Sequence, residues 1–447
     1  MLHTTMNRML PALVIALALF VTACGSDPQA GVVEVWTTWA SMPRETLALF
    51  DRFSQETGLQ VQVKTGVKGD KIAGRLADGT PPDLLLLSSN DPVAALDEQG
   101  LIAPLDEQSE LSTVDRADIY PAALAQCTAG DGRLLCLPWG GDVQVLYWNK
   151  ALFRAAGLDP ERPPASTEEV LELAMKLTRR DDAGRLSQVG FIPDLPGSHS
   201  ELFAHLSAGA QAGRAPAVDA ASLQAALAWQ GRFFDFYDPG QLEAFVASFT
   251  PHRTNAHPVF AGARLGCQQC HRANPLDRNK APVSGFLDGQ VAMMVDGGWL
   301  VSPGVRSAVQ ELVDFGVGPF PAAAAAPDRA NTTLVQGPVL VIPTAAVDRA
   351  AAGQLLAWLS APETLAEAAL HNGLLPSSRA AAQDPAFHQS PEQEMLLDLL
   401  AGPTAAFHPL TPQAPSLNAL LADAEDIVFH TDQSPATIVD QIAPEMP

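Results

Sequence analysis

Cys267-Gln268-Gln269-Cys270-His271 is the stretch of this 447-residue chain whose spacing most directly suggests chemistry. C-x-x-C-H is the pattern of covalent c-type haem attachment. Both thiols would form thioethers, and His271 would bind the iron from the proximal side. His257 or His252 offers a sixth ligand, as do Met293 and Met294. The same residues also suit a local Cys267–Cys270 disulfide, or a zinc site drawing on His271 and His257. A second candidate is Trp299, which directly follows Gly297 and Gly298. Two glycines let backbone approach closely, so this Trp is expected to stack on a ligand rather than fill a core. The sequence contains no G-x-S-x-G, Walker A or H-E-x-x-H pattern. The chain is therefore expected to bind rather than catalyse.

The other cysteines point to compartment. Residues 1–23 read as a leader, with Arg8 as the charged region and Met9 to Val21 as the apolar region. It ends in Val21-Thr22-Ala23-Cys24, which resembles a bacterial lipobox. Cleavage before Cys24 would leave its thiol to carry a lipid, outside the cytoplasmic membrane. Losing Arg8 takes the formal net charge from −23 to −24. Such acidity excludes a generic nucleic-acid binder. In an oxidising compartment disulfides are allowed. Ala129-Gly130-Asp131-Gly132-Arg133 carries an Asp-Gly hairpin turn. With Asp131 and Gly132 as its two loop residues, Gly130 faces Arg133 and Cys127 faces Cys136. That pair falls at a non-hydrogen-bonded site, with Cα atoms about 4.5 Å apart. The separation lies within disulfide range, so Cys127–Cys136 is expected to be bridged.

The elements that must position these residues alternate between strand and helix. Val32 to Thr37 is a strand. A helix follows Pro43, with Leu47, Phe50 and Phe53 as its stripe and Gly58 past its end. Leu59, Val61 and Val63 alternate with polar residues as a half-buried strand. Asp83 to Leu87 is a continuous apolar run, as in a parallel strand covered on both faces. The alternation predicts a layered α/β lobe. In such sheets ligands sit beyond the carboxyl ends of strands. Trp39, after the first strand, and Asn90, after the third, are therefore candidates. Trp36 lies within its strand and is expected in the core. Asp91-Pro92 reads as a helix start.

Arg133 to Pro160 organises the chain. Leu134 to Leu137 is a strand, and Pro138 removes a backbone donor and ends it. Val143 to Trp148 is a second β-rich run, followed by a helix ending at Gly157. A strand that breaks at a Pro and resumes elsewhere is a plausible crossing between lobes.

Leu137-Pro138, Leu146-Tyr147-Trp148-Asn149-Lys150, and Leu152-Phe153 through Gly157-Leu158-Asp159-Pro160 resemble motifs of the extracellular solute-binding proteins of bacterial ABC importers, sugar-binding members included. Pro164 to Glu169, Phe286 to Trp299, and Asn372 to Arg379 resemble further motifs of that family. Thr167 stands where the family usually has Trp. The resemblance implies a two-lobed periplasmic-binding-protein type II α/β fold. It places Trp139 and Asp142 at the mouth of the cleft, and brings Trp299 to the ligand with Asp296 nearby. The candidate ligand set is thus Trp39, Asn90, Trp139, Asp142, Asp296 and Trp299. Trp faces with carboxylates suit a sugar; the same set also suits a polyamine, by cation–π attraction and charge. The family favours a carbohydrate, a monomeric receptor and an ABC permease as partner. Solute-binding proteins do not normally carry haem, so an electron-transfer or redox-sensing derivative is the alternative function.

The expected organisation is a signal peptide at 1–23, a linker at 24–30, a first lobe at 31–137 and a second at 138–317, with an atypical Cys/His insert at 249–284. A second crossing at Val317 to Phe320 leads back to the first lobe over 318–372. A helical segment at 373–447 lies mostly on the second lobe.

Overall fold

The computed structural model describes residues 31–79, 81–193, 208–209, 217–218, 220–248, 285–303, 305–323, 331–407, 410 and 414–445. Cys24, His252, His257, Cys267, Cys270 and His271 lie outside the described residues. The lipid, haem, local disulfide and zinc readings of those residues therefore rest on sequence alone.

The first lobe is built on β1 (Val32–Thr37), α1 (Arg44–Thr57), β2 (Gln60–Lys64), α2 (Ile72–Ala77), β3 (Leu84–Leu87), α3 (Val93–Glu98), α4 (Pro121–Ala125) and β4 (Leu137–Pro138). Its sheet has the order β2-β1-β3, then a strand from much later in the chain, then β4. β1 runs parallel to both neighbours, with Val33 opposite Val61 and Trp36 opposite Leu85. Leu84 to Leu87 are all buried, as a strand covered on both faces requires. α1 is closed by Gly58 in the left-handed conformation, whose N–H bonds the Ser54 carbonyl. Its inward stripe is Thr46, Leu49, Phe50 and Phe53. Leu47, expected in that stripe, is 37% exposed. The helix is rotated slightly from the sequence reading, because Thr46 reaches in to bond Asn372.

The second lobe begins with β5 (Asp142–Asn149), α5 (Lys150–Ala155), α6 (Thr167–Leu177), β6 (Arg179–Arg180) and β7 (Leu186–Phe191). A two-strand pair follows, β8 (Ala208–Gly209) with β9 (Ala217–Val218), then α7 (Ala220–Tyr237), α8 (Pro239–Ser248) and β10 (Val291–Gly297). Asn149 caps α5 by accepting from the Leu152 N–H, and Ser166 caps α6 by accepting from the Glu169 N–H. After α9 (Arg306–Gln310) come β11 (Phe315–Pro319), β12 (Thr333–Gln336) and β13 (Val339–Val341). The chain ends with α10 (Arg349–Leu359), α11 (Pro362–Asn372), α12 (Pro391–Ala401), β14 (Ala405–Phe407), α13 (Ala414–His430) and α14 (Pro435–Ile442). The second sheet runs β14-β12-β5-β10-β7-β6, with β11 sharing the β12 edge of β5. β13 is the late strand of the first sheet, antiparallel to both β3 and β4. α12 packs on β5, β11 and β12, while α13 and α14 pack on α7.

The first crossing is Trp139-Gly140-Gly141, between β4 and β5. The second differs from the expectation. Val317 to Pro319 stay in the second sheet, where Pro319 lies opposite Val145. A Pro at a strand end costs no ladder bond, so the Pro-rich stretch did not mark an exit. The chain crosses at Gly337-Pro338, after β12 and before β13. Val317–Pro319 and Thr333–Gln336 thus belong with the second lobe, not the first. A third strand of contact closes the junction: Gly141 and Leu375 exchange both backbone hydrogen bonds at 2.8 Å, and the Ser377 hydroxyl donates to the Pro138 carbonyl.

Cys127 and Cys136 are disulfide-bonded, with Cα atoms 4.9 Å apart. The hairpin register, however, is shifted by one. Ala129, not Gly130, faces Arg133 through its N–H, and Thr128 pairs with Leu134. Asp131 accepts from the Arg133 N–H, which favours a three-residue loop, and the cysteines bridge diagonally.

Candidate ligand-binding cleft

β10 runs antiparallel to β5, with Asp296 opposite Val145 and Gly297 opposite Gln144. This register carries the chain leaving β10 past the start of β5, where Asp142 stands. Asp142 Oδ1 accepts from the N–H groups of Val143 at 2.9 Å and Gly298 at 2.7 Å. Asp296 Oδ1 accepts from the Gly297 N–H at 2.6 Å and the Trp299 indole Nε1–H at 2.7 Å. The Tyr147 hydroxyl donates to the Gly297 carbonyl and fixes the same turn from below. Main-chain donors therefore hold the two carboxylates, and Asp296 in turn holds the half-buried indole.

The glycine pair has a specific reason here. A Cβ at Gly297 would lie 1.9 Å from Asp142 Oδ2, and one at Gly298 would lie 2.7 Å from Leu396 Cδ1. The glycines make room for Asp142 and Leu396, and Trp299 emerges from the turn that results.

Burial pushes the Asp142 carboxyl up to about 8, with the neighbouring Asp296 charge adding to it and the Val143 and Gly298 hydrogen bonds opposing. Burial raises Asp296 to about 6, against the bonds from Trp299 and Gly297. Both carboxyls are thus raised above the usual carboxylate range and titrate as an interacting pair, which can hold a proton and donate as well as accept.

The other expected ligand residues divide differently. Trp39 and Trp139 pack against each other, ring centroids 5.9 Å apart. They are 4% and 0% exposed, so both serve as core in this structure. Trp139 is pinned by its N–H to the Pro338 carbonyl, but its buried indole Nε1 has no hydrogen-bond partner. Asn90 is buried, and its amide donates to the Gln126 carbonyl. It ties the loop after β3 to the end of α4, a structural use that replaces the expected ligand role. Asp91 accepts from the Ser89 hydroxyl and makes no cap bond to α3. Trp36 is buried as expected, its indole donating to Glu34.

Ser302 was missed by the sequence reading. It lines a small recess with Asp142, Gly298, Gly373, Leu374 and Gln393, where α12 meets the junction between lobes. Its hydroxyl is buried without a partner. The only sequence signal was its place three residues after Trp299, before Pro303. Among the described residues no cluster of His, Cys, Asp and Glu is arranged to hold a metal.

A model of the bacterial extracellular solute-binding proteins matches residues 48–394, and the chain belongs to that family. The two-lobed α/β architecture expected from the sequence is the one observed. Over 99 residues the chain is 31% identical to the sn-glycerol-3-phosphate-binding periplasmic protein UgpB of Brucella abortus (strain 2308), covering 22% of this chain. That match spans 23% of the relative's own length. Among solved structures, CpMnBP1 with mannotriose bound superposes with a TM-score of 0.73 at 24% identity, covering 93% of this chain and 100% of the other. UgpB from Mycobacterium tuberculosis in complex with glycerophosphocholine gives 0.67 at 19% identity, covering 93% and 97%. These likenesses are of fold.

Proposed function

We propose that the chain is the extracytoplasmic receptor of an ABC importer, and that it binds a carbohydrate beside Asp142, Asp296 and Trp299. The observation carrying this reading is a half-buried indole bonded to Asp296, with Asp142 held beside the same turn by main-chain donors. An indole face takes the CH face of a sugar ring, while acid oxygens take its hydroxyls. The mannotriose bound by CpMnBP1, which shares the fold, supports the class, and family membership supports a solute-binding role. The role is binding without catalysis, and the partner is a permease embedded in the membrane. The receptor works as a monomer held at the membrane surface by lipid on Cys24. Mass spectrometry of membrane-extracted protein should find an acylated N-terminus there; a mature chain beginning elsewhere removes the anchor.

A thermal-shift and calorimetry panel tests the ligand class. Mannobiose, mannotriose and maltodextrins should raise the melting temperature, since a ligand that binds only the native state stabilises it. Stabilisation by polyamines alone would reject the carbohydrate reading.

A further inference from the structure

We infer that the cleft selects its ligand by charge: it takes a hydroxyl or ammonium group between Asp142 and Ser302, with Asp296 on the adjacent strand, and rejects a phosphate ester. The inference deepens the binding reading above and rests on it for the location of the site. Asp142 and Asp296 stand on adjacent strands, close enough for the charge of one to act on the other. The charges that act on the two carboxylates include no basic side chain of the described residues. Their partners are backbone N–H groups and one indole, which orient them without bringing a positive charge. Arg306, four residues beyond Ser302, does not line the recess; one guanidinium nitrogen pairs with Glu392 at 2.9 Å, and its buried Nε has no partner.

The second observation is Ser302. It is 6% exposed, it shares the recess with Asp142, and its hydroxyl has no hydrogen-bond partner. A buried hydroxyl left unpaired is costly and calls for a partner supplied from outside. A ligand hydroxyl or ammonium satisfies Ser302 and a carboxylate together. A phosphate oxygen can accept from Ser302, but it meets the negative charge that the Asp142–Asp296 pair carries, with no basic side chain lining the recess, and like charges in a partly buried site repel strongly.

The full mature chain is titrated with matched pairs: mannose against mannose 6-phosphate, and glycerol against sn-glycerol 3-phosphate, with glycerophosphocholine and glucosamine alongside. Wild-type protein should bind each phosphate ester more weakly than its dephosphorylated counterpart. The Asp142→Asn, Asp296→Asn double variant should gain about tenfold or more for the esters relative to wild type, one charge–charge contact at the site. An ester that binds wild-type protein as tightly as its counterpart, or tighter, overturns the inference. Collisional quenching gives a reading that needs no ligand. Trp299 emission is isolated as the difference between wild type and Trp299→Phe. Caesium should quench it more than iodide, each relative to free indole; the reverse order overturns the inference. Binding of polyamines without sugars would sink the carbohydrate proposal while leaving charge selection intact, so the two failures are distinguishable.

Discussion

The junction between the lobes holds tryptophans in two settings. On the first-lobe side, Trp39 and Trp139 meet ring to ring and are almost fully covered. On the second-lobe side, Trp299 is half-buried and its indole N–H is claimed by Asp296. The sequence offers both as ligand stackers. Packing separates them: Trp39 and Trp139 cover each other, whereas Trp299 leaves a glycine turn half-buried with its indole N–H on Asp296. A carboxylate tether alone does not keep a Trp at the surface, since Trp36 donates to Glu34 and is buried; the turn that presents Trp299 decides its place.

The largest effect should come from the first setting. Trp139→Ala empties a fully buried site and should cost about 3–5 kcal/mol in a urea titration, the range for deleting a buried large aromatic. A cost below about 1 kcal/mol would mean that Trp139 is not core. Gly297→Ala forces a methyl into the space held by the Asp142 carboxyl. It should cost about 1–3 kcal/mol and weaken ligand binding as well, since overpacking displaces neighbours. Unchanged stability would show that the turn has slack the structure does not display.

Trp299→Ala reverses the pattern of Trp139→Ala. One stacked aromatic is worth about 1 kcal/mol, so calorimetry should show at least a several-fold loss of affinity with little change in the urea midpoint. Loss of stability without loss of affinity would make Trp299 a core residue like the other two.

The finest test is pH. The Asp142 carboxyl is raised to about 8 in the fold, while in the unfolded chain it titrates near the ordinary Asp value, about 3.9. Between those limits the native state binds more protons than the unfolded state, so this residue makes stability fall as pH rises, and the loss is complete above the folded value. Asp296, raised to about 6, adds a loss of the same sign over a narrower window. Urea midpoints of Asp142→Asn from pH 5 to 9 should decline less steeply than those of wild type. Parallel curves would show that Asp142 titrates normally.

Much of the architecture is legible in local pattern. The apolar run Leu84 to Leu87 marks a strand covered on both faces, and the break at Pro138 marks the first crossing, because each depends on residues adjacent in sequence. Asp142, Asp296 and Trp299 were legible as candidates through the motifs around them, and the register of β5 against β10 brings them together. The second crossing was not legible. Val317-Gly318-Pro319 looks like an exit until the β5 edge it pairs with is known, and that edge lies well over a hundred residues earlier.

By itself the sequence determined the alternation of elements, the family, the cysteine pair and the glycine-tryptophan turn. Each is a matter of spacing, charge or backbone freedom within a short window. Only the tertiary structure decided that Asn90 serves the loop after β3, that Trp39 and Trp139 face inward, that the hairpin before Cys136 shifts by one residue, and that Gly297 yields its space to Asp142. The reason is the same in each case. Burial and partnership are set by atoms from distant parts of the chain, and a residue's type fixes what it can bond but not which neighbour reaches it first.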